Sequence, residues 1–251
     1  MMNRTRIVSL LPAFCLALAV PLLSHAQATS APLPALKSGD TWTYVETTET
    51  GPNGWRQSHQ QLTVTRTTSD HIYYEVKQAG SQQAPSEVVV GSDWSRVRNV
   101  NGLETTVNRP LAFPLTVGKS WEVKYSEAHP NPQHALETLD TRFKVIGPES
   151  VEVPAGKFDA IKVEAEGEWT AQTAPVRAAT AGAVTTQAGT TVIAQTRNPV
   201  SVTATGRLYK AFWYVPDTGR WVKSVEEYYG SNGVRSQRFT SELESFKRAT
   251  P

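Results

Sequence analysis

The sequence predicts an all-β fold: an antiparallel meander forming a curved sheet, half-barrel or sandwich, with a pair of related β lobes as one form of it. Three observations lead there. Apolar and polar residues alternate with period two through most of the chain, Gly/Pro/Asn/Asp clusters separate the alternating stretches, and no 3.6-residue apolar period appears beyond residue 26. Each stretch has one apolar and one polar face. That suits antiparallel strands with one solvated side, because buried parallel strands would read as continuous apolar runs.

Residues 1–26 read as a cleavable export signal. Arg4 and Arg6 make the basic start, an apolar stretch follows from Ile7 to Leu23, and Ser24-His25-Ala26 offers small residues at the −3 and −1 positions of a cleavage site. The apolar stretch holds 17 residues and contains Pro12 and Pro21. It falls short of the ~20 apolar residues a bilayer span requires, and no later segment comes close, so no transmembrane span is expected once the signal is removed. The single cysteine, Cys15, lies inside the signal behind Phe14, where lipidation would require a small residue. Without it the mature chain has no thiol, which excludes disulfides, thiolate nucleophiles and cysteine-ligated metals. Residues 27–35, with Pro32 and Pro34 among small side chains, read as a disordered lead-in.

An N-terminal β lobe is expected over 36–109, with strands marked by Trp42/Tyr44, Leu62/Val64 and Ile72/Tyr74/Val76. A C-terminal lobe over 110–246 continues with Trp121/Val123/Tyr125, Phe143/Val145, Ile161/Val163/Ala165, the runs 208–215 and 221–229, and Phe239/Leu243; 247–251 is a tail. The template gives roughly ten strands. Turns are expected at 51–54, 68–70, Asn101-Gly102 and 231–233, with hairpins at Pro154-Ala155-Gly156 and Pro216-Asp217-Thr218-Gly219. Phe158 and Ile161 are an odd number of residues apart, so both reach the core only with a bulge near Asp159-Ala160. Residues 170–199 form an Ala/Thr/Gln/Gly tract without aromatics and with Arg177 and Arg197 as its charges. It reads as a low-complexity insertion between two strands, a mobile loop or a lid. Leu36-Lys37-Ser38-Gly39-Asp40-Thr41-Trp42 is echoed 79 residues later by Leu115-Thr116-Val117-Gly118-Lys119-Ser120-Trp121, and this L-x-x-G-x-[ST]-W repeat motivates the two-lobe reading.

Charge and motifs narrow the function. The chain carries 25 basic and 23 acidic residues, and removal of Arg4 and Arg6 leaves 23 of each. A neutral mature chain without a basic run lacks the footprint of nucleic-acid binding. No nucleophile elbow, phosphate loop, dinucleotide fingerprint or HExxH motif is present. His129 and His134 flank a Pro-rich loop and are too few ligands for zinc, so neither a metal nor a cofactor is expected. Glu226-Glu227 and Glu242/Glu244 could supply acid/base pairs only if two carboxyls faced one cleft, and alternation assigns Glu242 and Glu244 to a solvated face. Aromatic residues are the stronger signal. Trp42, Tyr44, Trp121, Tyr125, Trp213 and Tyr214 come from strands expected to be neighbours, and rings with polar edges can line an apolar ligand site as readily as they fill a core.

Three motifs carry a family resemblance: Phe113-Pro114-Leu115-Thr116-Val117-Gly118-Lys119-Ser120-Trp121, then Val151-Glu152-Val153-Pro154-Ala155-Gly156-Lys157-Phe158-Asp159-Ala160, then Trp213-Tyr214-Val215-Pro216-Asp217-Thr218-Gly219 with Val222-Lys223. Their order resembles the uncharacterised bacterial exported proteins of the TapB-like and related unknown-function families. The resemblance covers about residues 111–227 and the weaker opening at 39–44, and the 170–199 tract departs from it. It implies an exported antiparallel β protein, akin in fold to periplasmic lipid carriers, and transfers no catalytic residue, since the shared positions are turn formers and core rings.

The leading expectation is therefore an exported periplasmic, or extracellular, non-enzymatic protein that binds a lipid or other apolar or amphiphilic ligand in an aromatic-lined β scaffold. The alternative is an envelope protein–protein interaction module that offers an exposed sheet edge to a partner. An envelope hydrolase ranks behind both.

Overall fold

The computed structural model describes residues 30–52, 54–174 and 201–250. The expected signal at 1–26, with its cleavage site, and residues 175–199 of the low-complexity tract lie outside the described residues. Within them the secondary structure is strand, apart from one 3-10 turn at Pro216–Thr218. No helix among the described residues is long and apolar enough to cross a membrane.

The first meander comprises β2 (Thr41–Thr50), β3 (Gly54–Thr67), β4 (His71–Gln78) and β5 (Ser86–Gly91). The second comprises β9 (Ser120–Asn131), β10 (His134–Val153), β11 (Gly156–Thr173), β12 (Thr203–Val215), β13 (Arg220–Gly230) and β14 (Arg235–Lys247). They join into one ten-stranded antiparallel sheet, in the order β5-β4-β3-β2-β14-β13-β12-β11-β10-β9. The seam is the β2–β14 ladder, which runs from Thr41 opposite Lys247 to Thr50 opposite Gln237. No ladder joins β5 to β9, so the sheet is open. Between the meanders, β6 (Arg96–Val100) and β7 (Leu103–Asn108) form a separate hairpin, and β8 (Leu115–Thr116) pairs with β1 (Ser30–Ala31).

The turns follow their sequence chemistry. Asn101 and Gly102 both have positive φ, 52° and 87°, the requirement of a two-residue hairpin loop whose twist matches its strands. Pro216 opens the 3-10 turn, and Gly219 at φ 68° ends it. The repeated openings also share a geometry. Gly39 and Gly118 have φ of 92° and 84°. Gly39 N–H donates to Val64 O and Val64 N–H to Asp40 O, while Gly118 N–H donates to Val145 O and Val145 N–H to Lys119 O. In each copy the motif clamps its strand to the next one at the same offset before the Trp.

Three local expectations change. Ser30 and Ala31, read as part of a disordered lead-in over 27–35, form β1 against β8, and Ala31 is buried in the core. Residues 170–173, read as part of the insertion, continue β11, with Thr170 to Gln172 paired to β12 and Thr173 to His134 of β10. The bulge expected near Asp159-Ala160 lies instead on the partner strand: the register steps between Val145 and Gly147, whereas β11 pairs without a break from Lys157 to Lys162. Ala160 and Ile161 are consecutive and both buried, because the hairpin tip turns onto the sheet and covers the second face. There Ala155 N–H donates to Leu243 O at 2.9 Å, and Phe158 meets Phe246 edge-on.

Most of the core occupies one face, here the inner face. Trp42 and Tyr44 (β2), Leu62 and Val64 (β3), Phe143 and Val145 (β10), Val163 (β11) and Phe212 and Tyr214 (β12) form a single buried cluster with Trp94, Leu111 and Leu115 from the crossing segment. The connection between the meanders thus fills part of the inner face with its own side chains.

Candidate binding site

At the end of the inner face nearest the Pro216–Thr218 turn, the chain builds an aromatic box. Trp42 Nε1 donates to Thr218 O, Trp94 Nε1 to Gly219 O, and Tyr44 OH to Trp221 O. Trp94 meets Trp42, Tyr74 and Trp221 edge-on, with ring centroids 5.7, 5.8 and 5.9 Å away. It holds this position at φ 64°, an uncommon conformation for a bulky side chain. Inside the box lies Arg220, 8% exposed. Its Cζ is 4.3 Å from the Trp221 ring centroid, 4.4 Å from Trp94, 5.4 Å from Tyr44 and 5.8 Å from Tyr74. Burial pushes the Tyr44 hydroxyl well above its ordinary range, and Arg220 pulls it partly back.

A polar belt continues from the box across the inner face. Glu46 Oε1 accepts from Gln60 Nε2 at 2.6 Å and from Ser241 Oγ at 2.7 Å. Burial raises the Glu46 carboxyl above its ordinary value, against the pull of those hydrogen bonds and of Arg220. Further along, buried Lys210 pairs with Glu226 at 3.2 Å, and Tyr228 OH donates to the same carboxylate. Tyr228 is shifted strongly upward by burial, then by Glu226, with Tyr125 and Glu137 adding to the effect. Tyr125 lies on β9 and Tyr228 on β13, with β10, β11 and β12 between them in the sheet. β10 comes into contact with β13 although β11 and β12 lie between them in the sheet, so this half is curved. Tyr125, Leu139, Trp169 and Tyr228 are half-buried there, and Phe239 is exposed.

The six rings predicted as one lining set are divided by the structure. Trp42 and Tyr44 are fully buried in the box, and Tyr214 is buried against Phe113. Trp121 is half-buried, stacked on Phe143 at 5.4 Å, and donates to Arg109 O. Tyr125 is half-buried beneath the Arg98 guanidinium. Trp213 points to the opposite face, because it follows Phe212 and precedes Tyr214 on one strand, and its Nε1 donates to Glu149. Arg220, Trp94, Glu46, Lys210 and Tyr228 were not selected from the sequence. Lys210 did leave a signal, as the one charge in the apolar run 208–215.

The opposite face is ionic. Lys162 bridges Glu149 and Glu164, Tyr209 OH donates to Glu164, and Lys223 pairs with Glu242. A shallow groove of about 850 Å³ crosses it, with Arg142 and Lys144 on its walls as well as Glu164, Glu166 and Glu168. The candidate catalytic carboxylates do not converge. Glu226 is held on the inner face by Lys210, Glu242 on the opposite face by Lys223, and Glu244 at the surface by His59.

No family model and no curated protein matches the sequence. Among solved structures, the chain is similar to a candidate lipoprotein from Parabacteroides distasonis at 17% identity and TM-score 0.45, covering 86% of this chain and 99% of that one. A candidate exported protein with YmcC-like fold from Bacteroides fragilis gives 17% identity and TM-score 0.38, covering 87% and 100%. The hypothetical lipoprotein YmcC from Escherichia coli gives 13% identity and TM-score 0.28, covering 84% and 85%. The TapB-like name is not among these descriptions.

Proposed function

We propose that the protein is an exported, non-enzymatic binding protein of the bacterial envelope, which holds an apolar or amphiphilic ligand inside the rolled half of the sheet. The observation that carries this reading is the row of partly exposed apolar side chains that the register aligns on the inner face, Tyr125 opposite Leu139 at one end and Phe239 opposite Glu226 at the other. The buried Lys210, paired with Glu226, lies on the same face, with Phe239 directly opposite Glu226. An amphiphile needs both parts: apolar walls for its chain and fixed polar groups for its head. Trp121 and Tyr125 then belong to the rim, Trp42, Tyr44 and Tyr214 to the floor beneath it, and Trp213 to the opposite face. Export rests on the basic, apolar and small-residue pattern of residues 1–26.

The edge-binding alternative has one observation in its favour, since β5 pairs only with β4 in the sheet and Val89 on it is 46% exposed. Native mass spectrometry with organic extraction, on residues 27–251 purified from a bacterial periplasm, separates the readings. A stoichiometric lipid or other apolar molecule is expected. Leu139→Lys should lower lipid uptake about tenfold or more by placing a charge on the apolar wall, while Trp213→Ala should leave uptake unchanged. A ligand-free protein that also refuses added lipids would reject the carrier reading and leave the β5 edge.

A further inference from the structure

The Arg220 box contains a buried charge with no ion-pair partner within 4 Å among the described residues. Two of its guanidinium nitrogens, Nε and Nη1, are buried without a hydrogen-bond partner among the described residues. A buried Arg normally lies against a carboxylate, because taking the charge out of water carries a desolvation cost that a partner must offset. Here the immediate surroundings are the rings of Trp94, Trp221, Tyr44 and Tyr74. Cation–π attraction to ring faces recovers only part of that cost and ring faces accept no conventional hydrogen bonds, while the Tyr44 hydroxyl interacts with the guanidinium but leaves Nε and Nη1 unpaired. Glu46 feels the charge of Arg220, but no hydrogen bond or ion pair joins the two: its Oε1 accepts from Gln60 and Ser241, and Arg220 Nε and Nη1 stay unpaired.

The surroundings are also held under tension. Trp94, which covers Arg220 at 4.4 Å, keeps a positive φ in the turn after β5. That turn is fixed by Asp93, whose Oδ1 accepts from Ser95 N–H and whose Oδ2 pairs with Arg109 at 2.8 Å. Strain of this kind persists where the surrounding contacts enforce it and collects at ligand clamps. A planar cation presented between aromatic walls, with unused donors, is the receptor half of a charge-assisted hydrogen bond.

We propose that Arg220 is an anion-recognition centre that takes one carboxylate or phosphate group, supplied as the head of an amphiphile held in the roll. The proposal rests on the carrier reading for the amphiphile's tail, but not for the anion. Glu46, Gln60 and Ser241 continue the polarity from Arg220 along the inner face, so a head at Arg220 directs its tail along that face.

The test measures binding of a long-chain fatty carboxylate, the alkyl phosphate and the neutral alcohol of equal chain length, with acetate and inorganic phosphate as free ions. Both anionic amphiphiles should bind about tenfold or more tightly than the alcohol, the scale of a charged hydrogen bond. Arg220→Gln should reduce them to the alcohol's affinity and leave the alcohol unchanged. In the wild-type protein the Arg220 Nε–H resonance should shift with the anions and not with the alcohol, which keeps the question decidable if Arg220→Gln does not fold. Equal affinity for anion and alcohol, or a preference that survives Arg220→Gln, overturns the anion site and spares the carrier reading. Arg220-dependent binding of the free ions without uptake of any amphiphile keeps the anion site and overturns the carrier reading. Binding of none of these ligands overturns both.

Discussion

Glu46 concentrates the electrostatics of the inner face in one side chain. Its carboxyl is raised above the ordinary value chiefly by burial, so the folded protein holds a proton there over a pH range in which the unfolded chain has released it. Stability therefore falls as pH rises through the window between the unfolded and the folded value, and above that window the full cost of ionising a buried carboxyl is present. Glu46→Gln keeps an Oε1 that can accept from Gln60 and Ser241, and it cannot ionise. The variant should be more stable than wild type at neutral pH, with the difference shrinking as pH falls and vanishing below the ordinary carboxylate range. Denaturant melts across that range measure the gap. A gap that does not change with pH, or a less stable variant at neutral pH, would mean that the attraction of Arg220 for ionised Glu46 outweighs burial.

At the scale of elements, the two outer strands of the open sheet differ in protection. Asn101, at the tip of the β6–β7 hairpin, treats β9 as a partner strand would: its Nδ2 donates to Ser126 O and its Oδ1 accepts from Ala128 N–H. The hairpin adds an Arg98–Glu127 ion pair at the same place. An unpaired strand edge is a template for association, and a side-chain amide that occupies its hydrogen-bonding groups blocks that template. Asn101→Ala removes both bonds and places a residue less suited to φ 52° in the turn. Faster amide exchange at Ala128 is expected, together with concentration-dependent association in sedimentation; a variant that stays monomeric with Ala128 still protected would assign the protection to the rest of the hairpin. The strands themselves were legible in the sequence because alternation is a local property, visible at Trp121, Val123 and Tyr125 without knowledge of any neighbour. The same rule, carried one step further, separates Trp213 from Tyr214. The box around Arg220 was not legible, because its walls come from β2, β4, β13 and the turn after β5. Trp94 meets Gly219 across 125 positions of sequence and sits in a turn with no period to mark it. Arg220 follows a turn glycine, where a charged residue ordinarily signals a solvated strand start. The register step at Val145–Gly147 was misplaced for a related reason: the odd spacing of buried residues on β11 reflects the hairpin tip covering a second face, which only tertiary structure reveals.

For the whole molecule, the decisive feature is that chain order and sheet order disagree. The first meander ends at β5 and the second begins at β9, yet the strands that join them are β2 and β14, the first and last of the ten. Beyond the ladder, Asp40 fastens the two together: its Oδ2 accepts from Lys37 N–H and its Oδ1 from Ala249 N–H, with Arg248 3.4 Å away. The buried cluster crosses the same seam, from Leu62 and Val64 on one side to Val163 and Tyr214 on the other, and Trp94 and Leu115 of the crossing segment belong to it. Each meander in isolation would expose a β2 or β14 edge and half of that apolar face, which gives neither a favourable state of its own. The matching clamps at Gly39 and Gly118 describe a repeated way to open a strand, and they coexist with one shared core. Residues 36–109 and 110–246 should therefore unfold together. Calorimetry of the mature chain should show one transition whose calorimetric and van't Hoff enthalpies agree, and a fragment of residues 36–109 expressed alone should lack a cooperative melt. Two resolved transitions, or a fragment that melts cooperatively, would show that the lobes read from the repeat fold as independent units and that the β2–β14 seam is a docking surface between them.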